Sequence, residues 1–163
     1  MSERSAVTTM RIVVGLWYVG ERTPADIVNT ACDLLVAGFD GSALRELAAA
    51  PPHLTDAEVS DLLEPALRDV GLPCHRPDSS AARFEALASM ASLTLSNAAT
   101  PSALAIIAWW YFDEDEFARP LAHFHDFYAF GSHCDTARKE VDSKVMAEAN
   151  RIVAAMAQST PGR

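Results

Sequence analysis

The chain has 163 residues, half of them apolar and about a fifth charged. That is the balance of a soluble globular protein, long enough to bury a core without disulfide or metal staples. A formal net charge of −9 sets the average surface field against nucleic acid and anionic membrane and in favour of a basic partner. No apolar run reaches the roughly 20 residues that cross a bilayer; the longest, residues 103–112, closes on the acids Asp113, Glu114, Asp115 and Glu116.

The start of the chain has an early arginine and a later apolar patch but no A-x-A-type cleavage site, so no signal peptide is expected and the compartment is taken as the cytoplasm. Cys32, Cys74 and Cys134 are odd in number and form no C-x-x-C pair, which argues against a disulfide framework and a structural zinc site. Cys32 falls at a helical position and is expected as a small buried hydrophobe. Arginine exceeds lysine by eleven to two and alanine is abundant, a composition typical of high-GC bacteria.

Residues 10–19 (MRIVVGLWYV) have strand propensity. No second alternating run exists to pair with them, so a helix capped by Thr8 or Thr9 is the better reading. Thr23-Pro24 is an N-cap with proline at the first helical position, and Ile27, Val28, Ala31, Leu34 and Leu35 follow at helical spacing up to Gly38. A short helix starts at Gly41-Ser42 and ends at Pro51-Pro52. Thr55-x-x-Glu58 is a capping box for a third helix, which Gly71-Leu72-Pro73 closes. Pro65 lies inside it, costs ~3 kcal/mol in an unsupported helix, and predicts a kink or a boundary. After the loop of residues 73–80, Ser79 or Ser80 caps a helix bearing Phe84, Leu87 and Ala91. Thr100-Pro101 opens the apolar helix that ends in Trp109 and Trp110, and Asp135 or Thr136 opens the last one.

This pattern predicts one all-α domain over residues 1–163, a bundle of about six or seven helices with a central aromatic-rich helix near residues 121–130. Residues 1–8 and 159–163 are expected to fray. There is no linker, repeat or low-complexity tract.

Several chemistries are absent by signature. The chain has no G-x-G-x-x-G or Walker loop, no G-x-S-x-G elbow and no H-E-x-x-H. The residues three before its five histidines are Ala50, Leu72, Pro120, Ala122 and Phe130, so the E-x-x-H of di-iron bundles is missing as well. No short helix is basic enough to read DNA.

What remains is the stretch 109–135, with nine of the thirteen aromatic residues and three of the five histidines. Its mixture of imidazole, thiolate and carboxylate could hold a transition metal. On a helix, however, His123 and His125 point about 160° apart and cannot share one ion. With a helix starting at Pro120, Leu121, Phe124, His125 and Tyr128 form one face, and His123, Asp126, Phe127 and Phe130 the other. The ligand set that geometry leaves is His123 and Asp126, with His133 or Cys134 folding back after Gly131.

Three functions compete. The first is a non-enzymatic protein-interaction module (an inhibitor, immunity-type protein or adaptor) that needs no cofactor. It would present an acidic and aromatic surface built from Trp109, Trp110, Asp113, Glu114, Asp115 and Glu116 to another, basic protein. The second is a small histidine-based or metal-dependent enzyme, with His123, Asp126 and His133 as catalytic residues and His123, Asp126, His133 and Cys134 as metal ligands. The third is an apolar small-molecule binder with a cavity lined by Trp109, Trp110, Phe124 and Phe127. Self-association through the last helix or the aromatic surface is compatible with all three.

Overall fold

Short-range chemistry at the helix ends sets the element boundaries. Thr23 Oγ1 accepts from the Asp26 N–H at 3.3 Å while the Asp26 carboxylate accepts from the Thr23 N–H at 2.8 Å. Thr55 and Glu58 repeat the same reciprocal box at 3.3 and 2.8 Å. Each box satisfies two backbone donors that a bare helix start would leave open. Thr100 Oγ1 accepts from Ala103 and Ser79 Oγ from Ala82, as their sequence positions suggested. At the stops, Gly38 and Gly71 take left-handed φ of 105° and 73°. The following N–H groups reach back five residues, Phe39 to Leu34 at 3.1 Å and Leu72 to Leu67 at 2.9 Å, the double closure of a Schellman end.

The computed structural model describes residues 2–51, 53–112, 114–131 and 134–159, with the side chain of Ser159 excepted. Among the described residues there are nine helical segments and no strand, so the fold is all-α. In order they are α1 (Glu3–Trp17), α2 (Pro24–Val36), α3 (Ser42–Ala48), α4 (Asp56–Asp69), α5 (Ser80–Leu95), α6 (Pro101–Phe112), α7 (Arg119–Ala122), α8 (His125–Phe130) and α9 (Asp135–Ser159). No described helix is long and apolar enough to cross a membrane.

Three local expectations change and a fourth narrows. The first helix begins at Glu3, not after Thr8, because Ser2 Oγ accepts from the Ser5 N–H and Ala6 is fully buried with Met10, Val14 and Trp17 along one stripe. Of the two outcomes expected at Pro65, a kink or a boundary, the boundary is absent, since α4 runs through that residue. Cys32 is exposed, since the buried stripe of α2 runs through Ile27, Val28, Ala31 and Leu34 and leaves position 32 outside it. The expected helix of residues 121–130 is interrupted at His123 and Phe124, which divide it into α7 and α8.

By its contacts the chain divides into two compact units, Met1–Ala82 and Arg83–Arg163. The division lies inside the first turn of α5, and a position within a helix carries no compositional mark. In the first unit α1 packs on α2, α2 on α3 and α3 on α4, around Met10, Ile27, Leu34, Leu44, Leu47 and Leu63. Here α3 has no side-chain cap of its own. Asp69, at the end of α4, supplies one: its Oδ2 accepts from the Ala43 and Leu44 N–H groups at 3.0 and 3.1 Å. In the second unit α6 packs on α7, α8 and α9, with Leu104, Phe112, Leu121 and Ile152 fully buried. On α9 the expected stripe is present, with Val145, Ala149 and Ile152 fully buried and Val141 and Met156 half-buried.

Candidate functional site

The tryptophans at the end of α6 meet the start of α8. α6 is apolar all round (PSALAIIAWWYF) and buries Leu104, Ala105, Ala108 and Phe112. Positions 109 and 110 fall outside that buried set, which leaves Trp109 38% and Trp110 67% exposed. The Trp109 ring stacks on His125, centroids 4.1 Å apart and planes within 10°, and meets Trp110 edge-on at 5.1 Å. His125 in turn meets Phe130 edge-on at 6.1 Å, and Phe130 is 81% exposed. The result is a row of four rings, Trp110, Trp109, His125 and Phe130, held ring to ring in stacked and edge-to-face arrangements.

The interruption of the helix at His123 and Phe124 decides which histidine joins this row. It turns His125 inward, leaving it nearly buried, and leaves His123 exposed. Asp126 pairs with His125, its Oδ1 lying 3.1 Å from Nδ1. A carboxylate only accepts, so that imidazole nitrogen carries the hydrogen. The i, i+3 pairing of His123 with Asp126 assumed one continuous helix. What His123 has instead is an edge-on ring contact with Phe124 at 6.1 Å. Cys134 is exposed, and His133 lies outside the described residues. Among the described residues no group of three His, Cys, Asp or Glu side chains is placed to hold a metal ion.

The acids after α6 take different roles. Asp113 lies outside the described residues. Asp115 turns back onto the first turn of α5: its Oδ2 accepts from Arg83 Nε at 2.8 Å and lies 2.7 Å from a second guanidinium nitrogen. Arg83 also donates to the Tyr111 carbonyl at 2.6 Å and lies over the Phe112 ring at 5.5 Å. Asp115 is therefore an anchor for the turn. Glu114 and Glu116 are exposed, and so is Asp126, whose side chain is 82% exposed beside the ring row.

The first unit contains a feature that sequence reasoning missed, a half-open cavity of about 610 Å³ whose walls include Trp17, Tyr18, Arg22, Asp56 and Ser60. Trp17 donates from Nε1 to Asp56 Oδ1 at 2.8 Å, across 39 residues of sequence. Tyr18 Oη accepts from the His75 N–H at 2.9 Å, which ties down the loop that brings Pro77 to the cavity wall. Burial pushes the Cys74 thiol above its ordinary value, outweighing the hydrogen bond from Tyr18, the opposite of what an activated nucleophile requires. The only sequence signal for the cavity was the aromatic pair Trp17-Tyr18 at the end of an otherwise aliphatic helix.

No protein-family model matches the chain, and comparison with curated proteins and with solved structures returns no significant match.

Proposed function

We propose that the chain is a non-enzymatic interaction module of the cytoplasm that docks a basic segment of another protein on the row Trp110, Trp109, His125 and Phe130. The observation that carries this reading is a row of aromatic rings in contact with one another whose ends, Trp110 and Phe130, are open to water while His125 beneath them is nearly buried. Leaving a large apolar side chain exposed forgoes roughly 1.5–3 kcal/mol relative to burying it. Single exposed apolar residues need no explanation, but a contiguous set on one surface marks an interaction site. Aromatic rings already fixed by neighbours lose little freedom on binding, which makes them good anchors.

Charge complementarity selects the partner. Glu114, Glu116 and Asp126 are exposed on the same segment as the rings, and the whole chain carries −9. A lysine or arginine can meet a tryptophan face and a carboxylate together, combining cation–π attraction with an ion pair at the rim. A second copy of the chain would instead bring like charges together.

The test is affinity capture with three baits: wild type, Trp110→Ala, and Glu114→Gln with Glu116→Gln. The wild type is expected to retain one basic protein at stoichiometric amount, released by moderate salt. The tryptophan variant is expected to lose it, and the glutamine variant to hold it with a weaker salt dependence. Retention of the same partner by Trp110→Ala would end this reading.

A further inference from the structure

We propose that the cavity in the first unit is a binding site for a small aromatic amine, its ring lying against Trp17 and Tyr18 and its ammonium on Asp56. This site is separate from the aromatic row and stands or falls independently of it.

Size comes first. A volume of about 610 Å³ lies within the range of roughly 300–1,000 Å³ typical of small-molecule sites, which are mainly apolar with a few placed polar groups. Trp17 and Tyr18 form a corner, their ring centroids 5.6 Å apart and their planes inclined by 47°. Such a corner offers one surface for a planar ring and attracts positive charge through the ring faces.

The polar groups decide the charge of the ligand. Asp56 is held in place because its Oδ1 accepts from Trp17, while Oδ2 takes no hydrogen bond among the described residues. Asp56 therefore brings an oriented carboxylate to the cavity wall, and Ser60, one helical turn further along α4, lines the cavity as well.

An anion would find less. The cavity touches the starts of both α2 and α4, but the capping boxes have already placed the Asp26 and Glu58 carboxylates there and used the Asp26 and Glu58 N–H groups. Pro24, at the first position of α2, has no N–H to offer. Among the described residues, Arg22 is the one cation on the wall. It is exposed and acts electrostatically on Asp26, so its charge is partly answered within the protein. Its guanidinium could still meet a carboxylate on the far side of the ligand, as in an aromatic amino acid. Amine and amino acid share the recognised chemistry, and the test separates them.

The indole N–H of Trp17 is the reporter, followed by proton–nitrogen correlation spectra of the labelled full-length protein as probes are added. Phenethylamine is expected to shift the Trp17 signal saturably, with a dissociation constant on the order of a millimolar for so small a ligand. Phenylacetate, with the opposite charge, is expected to leave it in place, and the Trp109 and Trp110 signals should not move with either. Asp56→Asn keeps an oxygen for the Trp17 donor and removes only the charge. It is expected to weaken phenethylamine by roughly tenfold or more, the usual consequence of losing a hydrogen bond to an ionised group. Ser60→Leu fills the cavity while keeping the Asp56 charge and is expected to abolish the shift, with circular dichroism confirming an unchanged fold.

Phenylalanine distinguishes the two sources. Tighter binding than phenethylamine, lost in Arg22→Ala, identifies an amino-acid site, and weaker binding identifies a simple amine. The proposal is overturned by any of three results: no saturable shift of Trp17 up to roughly 20 mM phenethylamine, phenylacetate binding as tightly as the amine, or unchanged affinity in Asp56→Asn.

Discussion

The pairing of Arg83 with Asp115 holds the turn that follows α6, and its contribution can be worked from its contacts. Replacing Arg83 by alanine removes the ion pair at 2.7 Å, the hydrogen bond to the Tyr111 carbonyl at 2.6 Å, and the cover over Phe112. The two side chains are 35% and 21% exposed, so solvent screening holds the ion pair to about 1 kcal/mol. A charged donor to a carbonyl contributes about 1.5 kcal/mol and the stem over the ring about 0.5 kcal/mol. Arg83→Ala is thus expected to cost about 3 kcal/mol. Asp115→Ala removes only the pair and is expected to cost about 1 kcal/mol, because Arg83 keeps its carbonyl. The double variant should cost about 3 kcal/mol, a coupling of about 1 kcal/mol. Urea unfolding in a Trp17→Phe background, followed by emission from Trp109 and Trp110, reads the second unit alone. Additive single effects, with coupling below about 0.3 kcal/mol, would show that the guanidinium and carboxylate merely lie close without supporting the turn.

Three further outcomes follow from other contacts. A Cβ at Gly41 would run into the Asp69 carboxylate that caps α3, so Gly41→Ala should displace the cap and cost about 1–2 kcal/mol in urea unfolding; an unchanged midpoint would mean that the cap contributes nothing. The Ser89 hydroxyl is buried without a hydrogen-bond partner among the described residues, so Ser89→Ala should be neutral or stabilising by up to about 1 kcal/mol, and a loss of that size would contradict the unpartnered assignment. Burial, with the bond to Asp142 at 2.7 Å second, raises the Tyr128 hydroxyl well above its ordinary value. The folded state then holds this proton more tightly than the unfolded chain. The contribution is complete below the ordinary tyrosine value of about 10 and is lost as pH rises through the folded value. Tyrosinate absorbance should show one of the three tyrosines ionising only when the protein unfolds in alkali, and Tyr128→Phe should remove that phase. Reversible ionisation of all three near pH 10, with the fold intact, would refute it.

The parts of the fold legible in the sequence were those governed by neighbours in the chain. Thr23, Thr55 and Thr100 marked helix starts and Gly38 and Gly71 marked stops because caps are closed by residues within a turn of them. The break at His123 and Phe124 was not legible, since Pro120 and the apolar residues after it suit one continuous helix as well as two short ones. That break moved Asp126 from His123 to His125 and created the ring row. Long-range contacts were hidden for the same reason. Nothing near Asp56 announces that its carboxylate meets Trp17, and nothing within residues 113–116 shows that Asp115 is engaged by Arg83 while Glu114 and Glu116 remain exposed. The aromatic and acidic residues of 109–130 could be nominated from composition. Their arrangement required the packing of α6 against α8.

The central claim is that the exposed rings carry partner binding, and calorimetric titration of the captured partner into wild type and Trp110→Ala tests it most directly. A buried tryptophan anchor is commonly worth about 2 kcal/mol or more at an interface, so the variant should bind at least about thirtyfold more weakly while its circular dichroism and urea midpoint stay at the wild-type values. An unchanged dissociation constant in a folded Trp110→Ala protein would contradict the account.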